Sequence, residues 1–335
     1  MTPTISNIIY KVYIESSGKK YNVSSALVSI DMNEQKKQIS QSARIELMNI
    51  KTEGKWLSDI FKVRDRVFIY ANDGTRNDEI FRGFVWTRNY SSALTTRSLT
   101  LKCYDHLIYL QESEDSVYIE PGKITEDVFR TLCDRWGINL EYTYSSITHK
   151  KLPLRGNLTD IFTSDLLDLV KDRRGKEYVI RSTKDIMQVM HVGQNDTVYS
   201  ITGASNAVKT SSENTMDGMV TKVVILGKAD EDEREPVEAT VDGDTGQYGT
   251  LQKILDRDEN TTLADAKKEA QNIIDEKGEP KWEYEVTFPD IPWIRKGDKI
   301  HVNAGDIAGK DLIVFGVERS ITNTRREMTL TLVDP

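Results

Sequence analysis

The chain has 335 residues, 38% hydrophobic and 29% charged. That composition supports a sizeable core without disulfide or metal staples and excludes collagenous and wholly disordered classes. Its 45 basic and 53 acidic side chains leave a net charge of −8, so no general attraction to phosphate backbones or anionic lipid is expected, and neither nucleic acid nor membrane is a default partner.

A length prior of about 100–200 residues per domain suggests two or three units. No apolar run approaches the ~20 residues that span a bilayer, and the first residues lack the pattern of a secretory signal, so synthesis in a cytoplasm is expected. In that compartment Cys103 and Cys133 are read as buried apolar side chains rather than a bridge.

From Ile8 to Leu110 short alternating stretches read as antiparallel strands: Tyr10 to Ile14, Ala43 to Leu47, Val67 to Tyr70 and Leu99 to Cys103. Asn72-Asp73-Gly74 supplies a tight turn, and only Trp56 to Phe61 looks helical. After Pro121-Gly122 the character changes. Thr125-Glu126-Asp127 can cap a helix carrying Val128, Phe129, Leu132, Cys133 and Trp136, which Gly137 stops. Asn139 to Tyr144 reads as a strand. A second helix from about Thr159 carries Ile161, Phe162, Leu166, Leu167 and Val170, and Tyr178 to Ile180 reads as another strand. Lys171, Asp172, Arg173, Arg174 and Lys176 form a local basic patch, and a helix ending in basic residues before Gly175 is what the helix dipole favours.

The β pattern resumes near Ser200, with a strand from Val220 to Leu226. The acidic run Asp230 to Glu235 and the stretch Asp242 to Gly246 read as loop or hairpin material. Thr262 opens a third helix, with Leu263, Ala266, Ala270, Ile273 and Ile274 on one face and Gly278 at its end. Trp282, Tyr284, Val286 and Phe288 then alternate as a strand. The expected division is a first β-module over 1–115, an α+β insert over 116–199 and a second β-module over 200–335 with a helix at about 262–277.

Segments 62–105 and 294–334 resemble each other. Asp65 and Gly83 are 18 residues apart, as are Asp298 and Gly316, whereas Gly83 to Asp105 is 22 residues and Gly316 to Asp334 is 18. A longer second hairpin tip in the first copy would absorb the difference. Asp65 and Asp298 are expected where a tight turn feeds a strand, and Gly83 and Gly316 where a bulge or a close backbone approach occurs.

Catalytic constellations do not assemble from the sequence. His106, His149, His191 and His301 are isolated, no phosphate-cradling glycine motif follows a strand, and no cofactor is expected. Asp242-Gly243-Asp244 begins like a calcium loop, but its twelfth position is Lys253 where a bidentate glutamate is needed, so it reads as a solvated turn. Glu283 and Asp244 are the nominal carboxylates of an alternative peptidoglycan-cleaving enzyme. Trp56, Trp86, Trp282 and Trp293 are the stacking platforms of an alternative carbohydrate- or receptor-binding protein.

The duplicated β-module, the intervening insert and the stretches Trp293 to Ile300 and Val314 to Val317 resemble the baseplate hub proteins of phage tails, specifically the PBSX-type prophage tail hub family. The resemblance implies a homotrimer of tube-like β-barrels. Its six modules would mate a sixfold tail tube to a threefold spike, in a virion or tail-like bacteriocin particle, with no enzymatic role.

Overall fold

In the strand Ile9–Ser16, Tyr10, Val12 and Ile14 are buried while Lys11 faces water, the two-residue period that a half-buried sheet requires. The computed structural model describes residues 8–35, 38–93, 96–203, 209–228, 235–257 and 261–335, so of the acidic run from Asp230 only Glu235 lies within the described residues. The protein is mainly β with large antiparallel sheets, as the patterning predicts.

Neighbouring strands of the first module follow the order Leu27–Glu34, Ser42–Met48, Arg97–Tyr104, Asn77–Ser92, Arg66–Asn72, Ile9–Ser16, Lys19–Asn22. The second follows the order Lys209–Thr215, Lys281–Pro289, Arg326–Val333, Lys310–Thr322, Lys299–Asn303, Tyr199–Thr202. The two series match strand for strand over six positions. They differ at the last: Ile9–Ser16 is antiparallel to its neighbour, and Tyr199–Thr202 is parallel to its own. They are joined edge to edge, with Val317–Thr322 paired antiparallel to Ser29–Glu34. Ile321 packs into the core of the first module.

Local hydrogen bonding identifies the equivalent residues. The Lys62 amide donates to the Asp65 carboxylate at 2.8 Å, and the Arg295 amide to that of Asp298 at 2.9 Å. The Arg64 amide reaches the Val85 carbonyl at 2.7 Å, and Gly297 reaches Val314 at 2.7 Å. Arg64 and Gly297 both have positive φ, at 71° and 90°. Third strands enter alike, with Asn49 donating to the Arg97 carbonyl and Asp290 to that of Arg326.

This pairing corrects the expected register at the glycines. In the first copy the ladder shifts between Val85 and Thr87; in the second it shifts between Val314 and Gly316. Trp86 and Phe315 therefore occupy equivalent bulges, Thr87 corresponds to Gly316, and Gly83 corresponds to Leu312, opposite Val67 and Ile300. Asp65 to Val85 is 20 residues against 16 from Asp298 to Val314, while Val85 to Asp105 and Val314 to Asp334 are both 20. The four extra residues lie in the first hairpin, not the second. A strand glycine is a weak register marker because several physical causes can place one. Gly83 is needed because a Cβ there would stand 2.1 Å from the Tyr104 carbonyl oxygen, whereas one at Gly316 would meet the side-chain oxygens of Gln35 and Thr331 at 2.9 Å.

Within the expected insert, Asn139–Tyr142 lies parallel to Ile186–His191, which is antiparallel to Tyr178–Thr183. The helix Thr125–Arg135 buries Val128, Phe129, Leu132 and Cys133, and the Phe129 ring lies 4.6 Å from that of Phe162. Thr125 does not cap it. Its hydroxyl is buried within 3.1 Å of the Ile147 amide and 2.9 Å of His149. The second helix is capped by Asn157 and winds as a π-helix over Ile161–Leu167 before continuing as Asp168–Arg174. Cys103 and Cys133 are buried free thiols.

By contact density the chain forms two units: Met1–Leu167, Glu177–Ser211 and Tyr284–Pro335 in one, Asp168–Lys176 and Ser212–Glu283 in the other. The expected boundaries at 115 and 199 do not coincide with this division. The helix Leu263–Lys277, expected inside the second β-module, belongs to the smaller unit. It does so because its face of Ala266, Ala270, Ile273 and Ile274 packs on Val223 and Ile225 of a separate sheet, with Lys222–Leu226 between Val237–Asp242 and Gln252–Asp256. Thr262 caps it as predicted, donating nothing to the backbone but accepting from the Asp265 amide at 3.1 Å.

Gly83→Ala is expected to destabilise by about 1–3 kcal/mol, because the Tyr104 carbonyl it would meet is backbone, and Gly316→Ala by less, because the atoms it would meet are side-chain oxygens. Urea titration of the two variants checks this; equal losses would contradict the assigned register.

Candidate functional site

The stretch Arg295-Lys296-Gly297-Asp298 forms the tight turn of the second copy, and its side chains enter a buried cluster of charge. Glu34, at the end of a first-module strand, is ion-paired to Arg295 and accepts from the Lys296 amide at 3.1 Å. Lys296 turns its Nζ onto the carbonyls of Gln38, at 2.7 Å, and Gln35, at 3.1 Å. Arg295 also donates to the Ser182 carbonyl at 3.0 Å, and Arg181 pairs with Asp298 at 2.8 Å. A second group lies close by in the chain's pairing: Arg319 faces Asp290 at 3.5 Å and donates to the Ile294 carbonyl, while the Tyr10 hydroxyl donates to Asp290. The strands Leu27–Glu34 and Tyr178–Thr183 and the turn Arg295 to Asp298 are thus tied together by ions.

Burial sets the protonation. It raises the Asp105, Asp290 and Asp298 carboxyls, with Asp105 pushed up to about 7, and lowers the Lys296 ammonium to about 8 against the pull of Glu34 and Asp105. Glu34 is the exception. Burial pushes it up, but Arg295, Arg319 and Lys296 outweigh that and hold it below its ordinary range. His106, buried beside the Ser182 hydroxyl at 3.1 Å, is pushed down to about 4 by burial.

Two of the six positions singled out in the repeat, Asp105 and Asp298, meet this cluster. Asp105 accepts from the Gln41 and Leu107 amides, each at 2.9 Å. Asp65 stays in its own turn, and Gly83 and Gly316 lie in strands. Asp334 is exposed, bonded to the Tyr284 hydroxyl at 3.1 Å and Lys310 at 3.3 Å. Sequence reasoning missed Glu34, Arg181, Asp290 and Arg319. Two left a readable signal: Glu34 follows Ile30 and Met32, and Arg319 stands between Val317 and Ile321, so each is a charge in the apolar register of a strand.

The alternative candidates are dispersed. Asp244 caps the one-turn helix Thr245–Tyr248, a turn of helix where a loop was expected, by accepting from the Gln247 amide at 2.9 Å. Glu283 is exposed in the strand Lys281–Pro289. Trp56 lies under Lys51 and Arg97, Trp293 under Arg76, and Trp86 against Tyr104 and Tyr109, while Trp282 departs from the expected buried alternation and is exposed. His149, His191 and His301 bond to Thr125, Ser145 and Asp311 respectively. Among the described residues no three His, Cys, Asp or Glu side chains are grouped to hold a metal ion. Two cavities border the cluster, at Lys296 and Phe315 and at Asp105 and Arg295, with about 30 and 10 Å³ of space, room for about one water molecule.

The fold is shared with tail proteins. The 43 kDa tail protein of prophage MuSo2 from Shewanella oneidensis matches with a TM-score of 0.70 at 14% identity, over 98% of this chain and 99% of that one. A tail protein from Neisseria meningitidis matches at 0.70 and 13% identity, over 97% and 96%. The E. coli c3393 protein, a type VI secretion component described as similar to the T4 tail proteins gp27 and gp5, matches at 0.59 and 9% identity, over 98% of this chain and 77% of that one. No curated protein matches the sequence. The chain thus has the fold of these tail proteins. A family model described as YQBQ-like matches residues 30–333, and the chain belongs to the YQBQ-like family.

Glu34→Ala would leave Arg295 and Lys296 buried without their counter-charge, and a loss of about 3–5 kcal/mol is expected by urea unfolding. The raised Asp105 carboxyl makes the folded state hold a proton that the unfolded chain releases above about pH 4. Its stabilising contribution is therefore present below about pH 4 and lost as pH rises through about 7. Relative to Asp105→Asn, the natural protein should be more stable at pH 4.5 than at pH 7.5; an unchanged difference would contradict the assignment.

Proposed function

We propose that three copies of this chain form a baseplate hub that joins a sixfold tail tube to a threefold central spike, within a virion or a tail-like particle. The observation that carries this reading is the twofold occurrence of one strand order within a single chain, joined edge to edge at Val317–Thr322 and Ser29–Glu34. Three chains with two such modules each can present six similar elements around one axis while keeping threefold symmetry elsewhere. In this reading 1–115 and 200–335 carry the ring-forming modules and 116–199 the insert between them. Asp65, Asp105, Asp298 and Asp334 hold equivalent turns and strand ends, with Gly83 and Gly316 shaping the strands. Partners are the tube or its initiator, the spike and other baseplate components.

The activity is fixed geometry rather than turnover. A buried ion cluster at the junction suits that role, because paired charges tolerate little change of angle before one of them is left uncompensated. The type VI component's described similarity to gp27 and gp5 supports the same reading.

Native mass spectrometry of the purified protein, alone and with tube and spike proteins, tests it. A trimer that captures the spike is expected. A chain that remains monomeric in every mixture and binds neither partner overturns the reading.

A further inference from the structure

The outward face of the first module's sheet departs from the alternation that shapes its inner one. Polar side chains are expected where a sheet meets water, yet Tyr13 of Ile9–Ser16 and Phe68 and Tyr70 of Arg66–Asn72 stand together on that face. Tyr13 is opposite Phe68 in the ladder, and the Tyr13 and Tyr70 rings meet edge to face, 5.7 Å apart at 87°. The three rings converge on one point. That point holds the Lys20 ammonium, 4.3 Å from the Phe68 centroid, 5.1 Å from that of Tyr13 and 5.7 Å from that of Tyr70. Each distance lies within the roughly 6 Å over which a ring face attracts a cation.

A carboxylate also stands at the rim. Glu15, on the same face as Tyr13, is opposite Lys20 in one ladder and Arg66 in the other, and it has no ion-pair partner among the described residues. Arg66 turns instead to Asp185, and Arg82, which borders Phe68 at 5.5 Å, turns to Glu79. The Tyr70 hydroxyl donates to Glu79 at 3.0 Å, which polarises the phenol and makes its ring richer in electrons. Lys20 is a poor occupant for such a cage, because its primary ammonium is strongly hydrated and carries three donors that ring faces leave unmet. A quaternary ammonium has no donors to satisfy. We propose that Tyr13, Phe68 and Tyr70 form a binding site for a quaternary ammonium group of the choline type, with Lys20 as the internal cation that the ligand displaces and Glu15 as the carboxylate at its rim. While Lys20 fills the cage, apparent affinity is reduced to the fraction of chains whose cage is open. Removing that side chain therefore strengthens binding.

The test titrates the full chain with tetramethylammonium chloride at constant ionic strength, following saturation transfer to the methyl resonance of the ligand by NMR. Saturable binding is expected for Lys20→Ala, about tenfold or more tighter than for the natural chain. Adding Tyr13→Leu, which keeps apolar bulk and removes the ring, should abolish it with the circular dichroism spectrum unchanged, and adding Tyr70→Leu instead repeats the test on a second wall of the cage. n-Butylammonium, which carries the same primary ammonium as a lysine of a partner protein, should bind Lys20→Ala about tenfold or more weakly than the quaternary ion. Absence of saturable binding to Lys20→Ala overturns the site. Binding that survives the loss of both tyrosines overturns it as well, and butylammonium binding as tightly as tetramethylammonium overturns the ligand class.

Discussion

A buried charge must be met by another, and in this protein the partners come from distant parts of the chain. Arg295 and Lys296 leave a turn of the second module and find Glu34 at the end of a strand in the first; Asp298, three residues on, meets Arg181 of the insert. Each ion would cost several kcal/mol if left unpaired. The cluster therefore contributes less to net stability than to uniqueness: an arrangement that separates these elements strands a charge in apolar surroundings. Apolar packing supplies the bulk of folding energy in each module, through separate cores.

Duplication gives that constraint its purpose. Two copies of one strand order, each with a positive-φ turn residue, an aspartate that anchors the turn and a bulge four strands deep in the sheet, are locked at one relative setting by edge pairing and by ions. Arg64 occupies the left-handed turn position that Gly297 holds in the other copy, which shows how far side chains have diverged while the backbone pattern persists. The hub role proposed above would use this combination: similar modules for a sixfold partner, and a chain-internal offset that preserves threefold order.

Much of the architecture was legible. Alternation located the strands, helical spacing located Thr125–Arg135 and Leu263–Lys277, and Thr262 read correctly as a cap. The repeat was visible in Asp65 and Asp298, whose turn geometry is local. Gly83 and Gly316 misled, because one glycine admits a neighbouring carbonyl and the other follows a bulge. Thr125 looked like a cap and proved to be buried, since a hydroxyl can satisfy either a helix end or a distant loop.

Period, turn chemistry and duplication are properties of neighbours along the chain, so the sequence by itself determined the β-rich class, the repeated module and its anchoring aspartates. Tertiary structure alone decided which strands pair across modules, that residues 168–176 and 212–283 pack as a unit of their own, and that Glu34, Arg295, Lys296 and Asp298 share one site. The pairing across modules and the shared site depend on contacts between residues more than a hundred positions apart. A charged side chain reads the same in sequence whether it meets water or, as Glu34 does, an arginine 261 residues away.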